Sequence, residues 1–537
     1  MTDSPYIAIL AWIGGVCSFT LSSLQAAEPV KRHVDFSAEE HTQVAPVTVN
    51  AAFLANMLVP KVSYFEVAGQ KQNGKFINAS QSDDSFAYRI SAGSYYQLNK
   101  RIMLYGAIDY TSFTGQNMSG SAFIQSGMTP FDIVETDDAN KGRKRLDSYH
   151  LQGKLGYRTT DRFRLGAAID YTAANYAKHK DLRHKNTLMD MQVSVGANWD
   201  ALSWMTVGAS YNYHRNNEAV EFNTYGNKDV QYYSLISFGN YFGSREAFGD
   251  SGYTYGRTPL FTQTHGGALQ LELHPAAWRF LSEVYYNSAS GRFGNGSSTS
   301  VVYTHHDADE MGYRGRAVFG KEHKLLHVVD LKVSNETLKN YENSFRSSTD
   351  ANNVTQIVYY GSNEVLKRNT FQADAVYTAY IGSEGGYAAW KAGAEASYFH
   401  RTTDVNVYPF YRNQTVHSMN VEAFGQRNWA HRQNMYSLGL RAGYGKGGGT
   451  PKEDGLYATP GSNQKAPTSR EDLLMHDYEY LTAARYTAGA DFTFEHSLSH
   501  GKLAVYAGAA YRYTQATGVD VVGKDRHVIN LNVGCKF

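Results

Sequence analysis

Between Ser85 and Leu98 apolar side chains fall at every second position: Phe86, Tyr88, Ile90, Ala92, Tyr96 and Leu98 alternate with Ala87, Arg89, Ser91, Gly93 and Gln97. Successive side chains of a strand point to opposite faces, so this spacing makes a ribbon with one greasy and one polar side. After the step Asn99-Lys100 the pattern restarts, with Ile102, Leu104, Ile108 and Tyr110 set against Met103, Ala107, Asp109 and Thr111, which predicts a tight hairpin. The unit recurs at Tyr149 to Tyr157 and Phe163 to Tyr171, where Ala168-Ile169-Asp170-Tyr171-Thr172 repeats Ala107-Ile108-Asp109-Tyr110-Thr111. A long run of such hairpins has two outlets for its oily faces: against each other in a sandwich, or against lipid around a closed cylinder.

Connection lengths favour the cylinder. Tight turns are predicted near Asn99, Thr159, Asp200, His274, Gly320, Gly382, Asn428 and His496, and between them long connections over 113–145, 174–186, 216–261, 288–308, 336–367, 402–414, 446–477 and 515–524. Short and long links therefore alternate, as in an up-and-down transmembrane barrel with short periplasmic turns and long extracellular loops. The fold class predicted is all-β, an antiparallel barrel of about 18 strands with 16 as the nearest alternative. Trp199, Trp204, Trp278, Trp390 and Trp429 all lie beside short turns, while Tyr110, Tyr171, Tyr213, Tyr286, Tyr398, Tyr444 and Tyr513 lie towards the opposite ends. Two aromatic girdles suit a membrane and have no purpose in a soluble sandwich.

Charge and targeting agree with this placement. Lys and Arg total 51 against 50 Asp and Glu, so no net charge draws the chain to nucleic acid. Ile7 to Leu24 is the one long apolar stretch, and Leu24-Gln25-Ala26-Ala27 offers small residues for cleavage, although basic residues before the stretch are missing. The expected organisation is a signal peptide at 1–27, a periplasmic or lumenal segment at 28–59 and an outer-membrane β-barrel at 60–537. Val16 before Cys17 argues against lipidation, and the mature chain keeps only Cys535, hence no internal disulfide.

With apolar faces outward, the other faces line the lumen. They carry the basic residues Arg89, Lys154, Arg164, Arg314, Arg316, Lys332, Lys391, Arg441, Arg485 and Arg512. The acids on the same faces are Asp109, Asp170, Glu272, Glu283, Asp330, Asp374, Glu395, Glu422 and Asp491. The two signs nearly cancel, so strong ion selectivity is not expected, and many should pair into ladders that brace the wall. With the signal peptide removed only about 30 residues, Glu28 to Val59, are expected before the first strand, too few for the plug domain of a TonB-dependent transporter, but the apolar Val49 to Leu58 has the character of a short helix, lumenal or periplasmic. The connection 216–261 holds Tyr225, Tyr232, Tyr233, Tyr241, Phe242, Tyr253 and Tyr255, which suggests an inward constriction, a docking surface, or an extension of the neighbouring strands. The basic runs Lys141 to Arg145 and Lys178 to Lys185 are candidates for contact with lipopolysaccharide.

Catalytic, cofactor and metal residues are not assigned. His305-His306 are adjacent, His179 and His184 lie on a basic loop, His496-Ser497 sit in a predicted turn without an orienting acid, and no phosphate loop or paired-carboxylate motif occurs.

The final strand, Val528 to Phe537, alternates Ile529, Leu531, Val533, Cys535 and Phe537 with Asn530, Asn532, Gly534 and Lys536, and its terminal aromatic resembles that of bacterial outer-membrane barrels. That resemblance implies recognition of the strand by the barrel assembly machinery. Ser63-Tyr64-Phe65, Asn73-Gly74-Lys75-Phe76, Asp170-Tyr171, Ala177-Lys178 and Asp181-Leu182-Arg183 resemble a group of Bacteroidota outer-membrane barrels of unknown function encoded near TonB-dependent receptors. It implies a porin-like barrel with an accessory role in nutrient or metal uptake, and a TonB-dependent receptor or surface lipoprotein as partner. The function expected is passage of small solutes; the alternative is a closed barrel acting as a binding or scaffold partner.

Overall fold

Alternation this regular lets each backbone ladder continue into the next strand, and it does so without a break around a cylinder. The computed structural model describes residues 43–537 except 58–60, 227–228, 250–251, 277, 298, 322–323, 350, 352, 354, 385–386, 463 and 499–502. The signal expected at 1–27 and the start of segment 28–59 lie outside the described residues.

The elements follow in chain order. After a 3₁₀ turn at Ala51–Asn56 come β1 (Lys61–Gly74), β2 (Asp84–Asn99), β3 (Ile102–Met118), β4 (Asp132–Glu135), β5 (Gly142–Arg158), β6 (Phe163–Lys178), β7 (Arg183–Leu202) and β8 (Met205–Asn223). Next are β9 (Tyr233–Gly239), β10 (Phe242–Ala247), β11 (Arg257–Leu273), β12 (Trp278–Gly294), β13 (Val302–Lys321), β14 (Leu325–Thr349), β15 (Thr355–Glu384) and β16 (Tyr387–Val407). The chain ends with β17 (Phe410–His431), β18 (Asn434–Leu456), β19 (Thr468–Ser469), α1 (Glu471–Thr482), β20 (Ala484–Leu498), β21 (Leu503–Thr517) and β22 (Asp525–Lys536).

Eighteen strands form one antiparallel sheet, each paired with its neighbours in sequence, and β22 pairs with β1 from Tyr64–Lys536 to Gly74–Arg526 to close it. Closure removes every free edge, which is what a β structure needs inside hydrocarbon. Phe537 finishes the seam, exchanging backbone hydrogen bonds with Ser63 at 2.8 and 2.9 Å.

The two faces separate as the alternation requires. Ile108, Val195, Leu269, Leu440 and Leu531 are exposed on the outside, with Leu269 71 % accessible, whereas Gln270, Glu272 and Glu283 on the inner face are buried. All five tryptophans of the short-turn end are exposed on the outer surface, the arrangement that an interfacial aromatic belt requires.

Several loop boundaries need correcting. The connections expected at 174–186, 288–308, 336–367 and 402–414 are mostly strand: β6 and β7 are separated by residues 179–182 alone, β16 and β17 by Tyr408 and Pro409, and β14–β15 pairing runs out to Thr349–Thr355. Beyond the lipid the outer face turns polar and the alternation fades, but the ladder hydrogen bonds persist because each strand still has its partner. Truly long connections remain at 119–141, 224–256 and 457–483, and these carry the four strands that are not part of the barrel. In the order β19-β10-β9-β4 they form a second sheet, packed into the loop end of the lumen.

Candidate functional site

The lumen is the candidate site, and chain folded into it from both ends shapes it. At the short-turn end residues 43–57 lie against the inner wall. Their seat is a row of glycines: Gly156 on β5 pairs with Gly166 on β6, which pairs with Gly196 on β7. A Cβ added to Gly166 would come 2.0 Å from the Ala52 nitrogen, and one on Gly196 would come 2.2 Å from the Asn50 side-chain oxygen. Glycine there is a requirement of close approach. Asn50 caps the 3₁₀ turn and also donates to the carbonyls of Ala197 and Ala209 and to Gln270 at 3.0 to 3.2 Å. Thr48 donates to Glu283, which also accepts from Arg314 at 2.7 Å, and Arg316 donates to the Gln43 carbonyl at 2.7 Å. Phe53 and Leu54 are buried, so the segment expected over Val49 to Leu58 is lumenal where it is described.

At the loop end the second sheet packs its apolar residues on the wall. Phe123, Phe131, Ile133, Ile236, Phe238, Phe242, Phe248 and Tyr253 join Val220 and Phe222 of β8, Leu260 of β11, Phe293 of β12 and Leu366 of β15 in one buried cluster. The aromatic connection at 216–261 is therefore largely an inward fold. Tyr253 stacks on Phe293 at 5.7 Å, Tyr232 packs on the cluster, and Phe242 lies under the Arg412 guanidinium at 4.7 Å. Tyr233 carries Arg245 over its ring at 3.5 Å, and Tyr241 donates to Asp477. Tyr225 and Tyr255 are instead exposed.

Helix α1 ties these pieces together. Asp477 also accepts from the Ala79 N–H at 2.7 Å, and Glu479 accepts from the backbones of Asp520, Val521 and Val522 at 2.6 to 2.8 Å. Arg470, just before the helix, binds Asp138, Asp472 and the Glu135 carbonyl at 2.6 to 2.8 Å. From the wall Arg412 reaches Asp454 in a bidentate pair at 2.7 Å, Ser469 at 2.7 Å, and Glu471. These bonds set the acidity of the plug. Burial raises Glu471, but hydrogen bonds from Lys452, Ser469 and Arg412 outweigh it and hold its carboxyl at about 2. Asp132 has the opposite balance: burial pushes it up to about 7 despite a hydrogen bond from Ser121.

The connection expected over 446–477 is instead strand as far as Leu456 and helical from Glu471, where Glu471 and Asp472 in a first turn before Leu473, Leu474 and Leu481 are a helix-start pattern. The basic runs also divide. Lys144 and Lys178 are buried on the inner face, bonded to the Ser121 carbonyl and to Glu135, while Lys141, Arg143, Arg145, Lys180 and Lys185 stay exposed.

The strand register puts all the expected lumenal charges on the inner face, and most pair there. Arg89 binds Asp109 at 2.9 Å, His150 meets Asp170 at 2.8 Å, Arg164 binds Asp200 at 2.7 Å, and Arg316 binds Asp330 at 2.6 Å. Arg279 lies 3.4 Å from Glu272, and Glu422 is shared by Arg441 at 2.9 Å and Arg512. Lys154 and Lys391 lie over the rings of Tyr105 and Tyr380. Asp374, Glu395 and Arg485 face a cavity of about 780 Å³ along β15 to β22 and β1, and a second cavity of about 490 Å³ lies under the inner sheet. Both are lined by Phe399, Tyr480 and Leu481. Among the described residues, no group of three or more His, Cys, Asp or Glu side chains is placed to hold a metal ion.

A closed, greasy-faced cylinder with chain folded into its lumen defines a β-barrel of the outer-membrane type. The chain belongs to DUF6850, a family of unknown function, whose model matches residues 51–537. No curated protein matches the sequence. Similar solved structures include the outer-membrane transporter YddB from Escherichia coli, with 8 % identity over 88 % of this chain and 81 % of that one and a TM-score of 0.39. The copper transporter OprC gives 8 % identity over 89 % and 81 %, with a TM-score of 0.35. A deletion mutant of the monoaromatic hydrocarbon channel TodX gives 10 % identity over 92 % and 94 %, with a TM-score of 0.31. At such scores the fold assignment rests on this chain's own strand register.

Proposed function

We propose that this protein is an integral barrel of the bacterial outer membrane that passes, or helps to pass, small polar solutes. In this reading the inner sheet and α1 gate the loop end, and residues 43–57 narrow the short-turn end from the side of β5 to β13. The observation that carries it is the charged cavity of about 780 Å³ along β15 to β22 and β1, bordered by Tyr480 and Leu481 of α1 and of the size that binds small molecules. A scaffold would be more stable with that volume filled. An origin in Bacteroidota, lipopolysaccharide contact through the exposed lysines and an accessory place beside a TonB-dependent receptor belong to the same reading, on the residue resemblances given above.

Purified barrel in a planar bilayer tests it. The expected result is a low, flickering ion current through the wild type. Silence from the wild type and from a variant with the short-turn end opened would instead favour a closed barrel that binds a surface receptor or lipoprotein.

A further inference from the structure

The larger cavity has a polarity across it that net charge conceals. Cross-strand pairing joins Asp374 of β15 to Ser397, Ser397 to Asn420, Asn420 to Gly445, and Gly445 to Arg485 of β20. On β14 Lys332 lies across from Asp374 without forming an ion pair to it, and from Asp374 onward the row crosses neutral or absent side chains and ends on a guanidinium. A neighbouring row runs the same way. Glu395 of β16 pairs with Glu422, Glu422 with Gly443, Gly443 with Thr487, Thr487 with Thr514, and Thr514 with Arg526 of β22. Glu422 is shared by Arg441 and Arg512, a trio of net charge +1, so beyond Glu395 this row is positive on the way to Arg526 and keeps the same polarity.

All four end groups line the cavity. Neither Asp374 nor Glu395 has an ion pair or hydrogen bond from its side chain among the described residues. The guanidinium groups lack acids as well: Arg485 is held by Asn420 and the carbonyls of Tyr480 and Leu481, and Arg526 by Gln72. The remaining lumenal charges mostly brace one another, whereas these four are spent on no partner of opposite sign. Left so, they favour a ligand that brings one charge of each sign.

The spacing sets its size. At about 4.8 Å between strands, the four intervals from β15 to β20 span about 19 Å of curved wall, less across the chord and less again between the tips of inward-reaching side chains. An extended chain of three residues covers about 10 Å. We propose that the cavity binds a zwitterionic short peptide, its carboxylate on Arg485 and Arg526 and its ammonium on Asp374 and Glu395. This inference names the solute of the transport reading and rests on it, yet its test needs no transport.

The test is calorimetric titration of the full-length barrel in detergent with triglycine, N-acetyl-triglycine amide and sucrose. Triglycine should bind, and capping both ends should weaken it at least tenfold, a comparison that uses the wild type alone. Glu395→Gln and Arg526→Gln, placed away from α1, should each weaken triglycine about tenfold and leave the capped peptide unchanged. No binding of triglycine, or equal binding of the capped peptide or of sucrose, would overturn the assignment. Triglycine binding by a barrel that carries no current would keep this inference and remove the transport reading.

Discussion

Gly166→Val should dislodge residues 43–57 from the lumen and raise the single-barrel ion current severalfold. A valine Cβ at this position would sit 2.0 Å from the Ala52 nitrogen and 2.3 Å from the Ala51 carbonyl carbon, and both are backbone atoms that no rotamer change can move aside. The barrel strand itself tolerates the change, since β-branched residues suit a pleated ladder. The loss falls on the seated segment, whose Phe53, Leu54 and Met57 are buried and would give up about 1.5 to 3 kcal/mol each on returning to water. Gly196→Val, through Asn50, should act in the same direction. Limited proteolysis should then cut within 43–57 in both variants but not in the wild type. Unchanged current together with an uncut segment would show that residues 43–57 do not occupy the lumen in the membrane.

The second large effect is expected at the other end. Arg412 is almost fully buried and binds Asp454, Ser469 and Glu471, joining β17, β18, β19 and the start of α1. Arg412→Ala should loosen the inner sheet by about 2 kcal/mol, near the low end for charged hydrogen bonds because Asp454 and Glu471 remain half-exposed. Hydrogen exchange should become faster over 233–247 and 468–482, with the barrel strands unaffected. The pH dependence has a definite sign. The Glu471 carboxyl is held at about 2, below its ordinary 4.5, so its contribution is complete above about 4.5 and is lost as pH falls towards 2. Asp132, raised to about 7, acts oppositely and stabilises the protonated plug below about 4, a contribution lost as pH rises through 7. In Arg412→Ala the acid-side loss should shrink while the Asp132 limb remains. Exchange that is equal in wild type and variant at pH 7 would remove Arg412 from its role as a latch.

The barrel could be read from the chain because its information is local. Phe86, Tyr88 and Ile90 against Arg89 and Ser91 specify both the strand and the face, and each tight turn repeats the statement. What lies inside depends on register between distant strands. Gly156, Gly166 and Gly196 are unremarkable in sequence and become a seat only when three ladders align them. The row from Asp374 to Arg485 crosses five strands and has no trace in any window of the chain. The inner sheet was hidden for a related reason, because β4 and β19 are too short to show a period and gain their order from β9 and β10. Tyr241 and Phe242 were marked out as aromatics in a long connection, but their direction was set by Asp477 and Arg412, supplied from far away in the chain.

The barrel has a polar lumen only if its oily faces meet lipid and its charged faces do not. Spin labels placed one at a time at residues 265 to 272 of β11, in barrels assembled in outer membranes, measure this directly through collision with dissolved oxygen, which concentrates in hydrocarbon. His265, Gly267 and Leu269 are exposed on one face, and Gly266, Ala268, Gln270 and Glu272 are buried on the other. High oxygen accessibility at the four odd positions, Leu271 included, and low accessibility at the four even ones is the expected result. The inverse alternation, or none, would contradict the account.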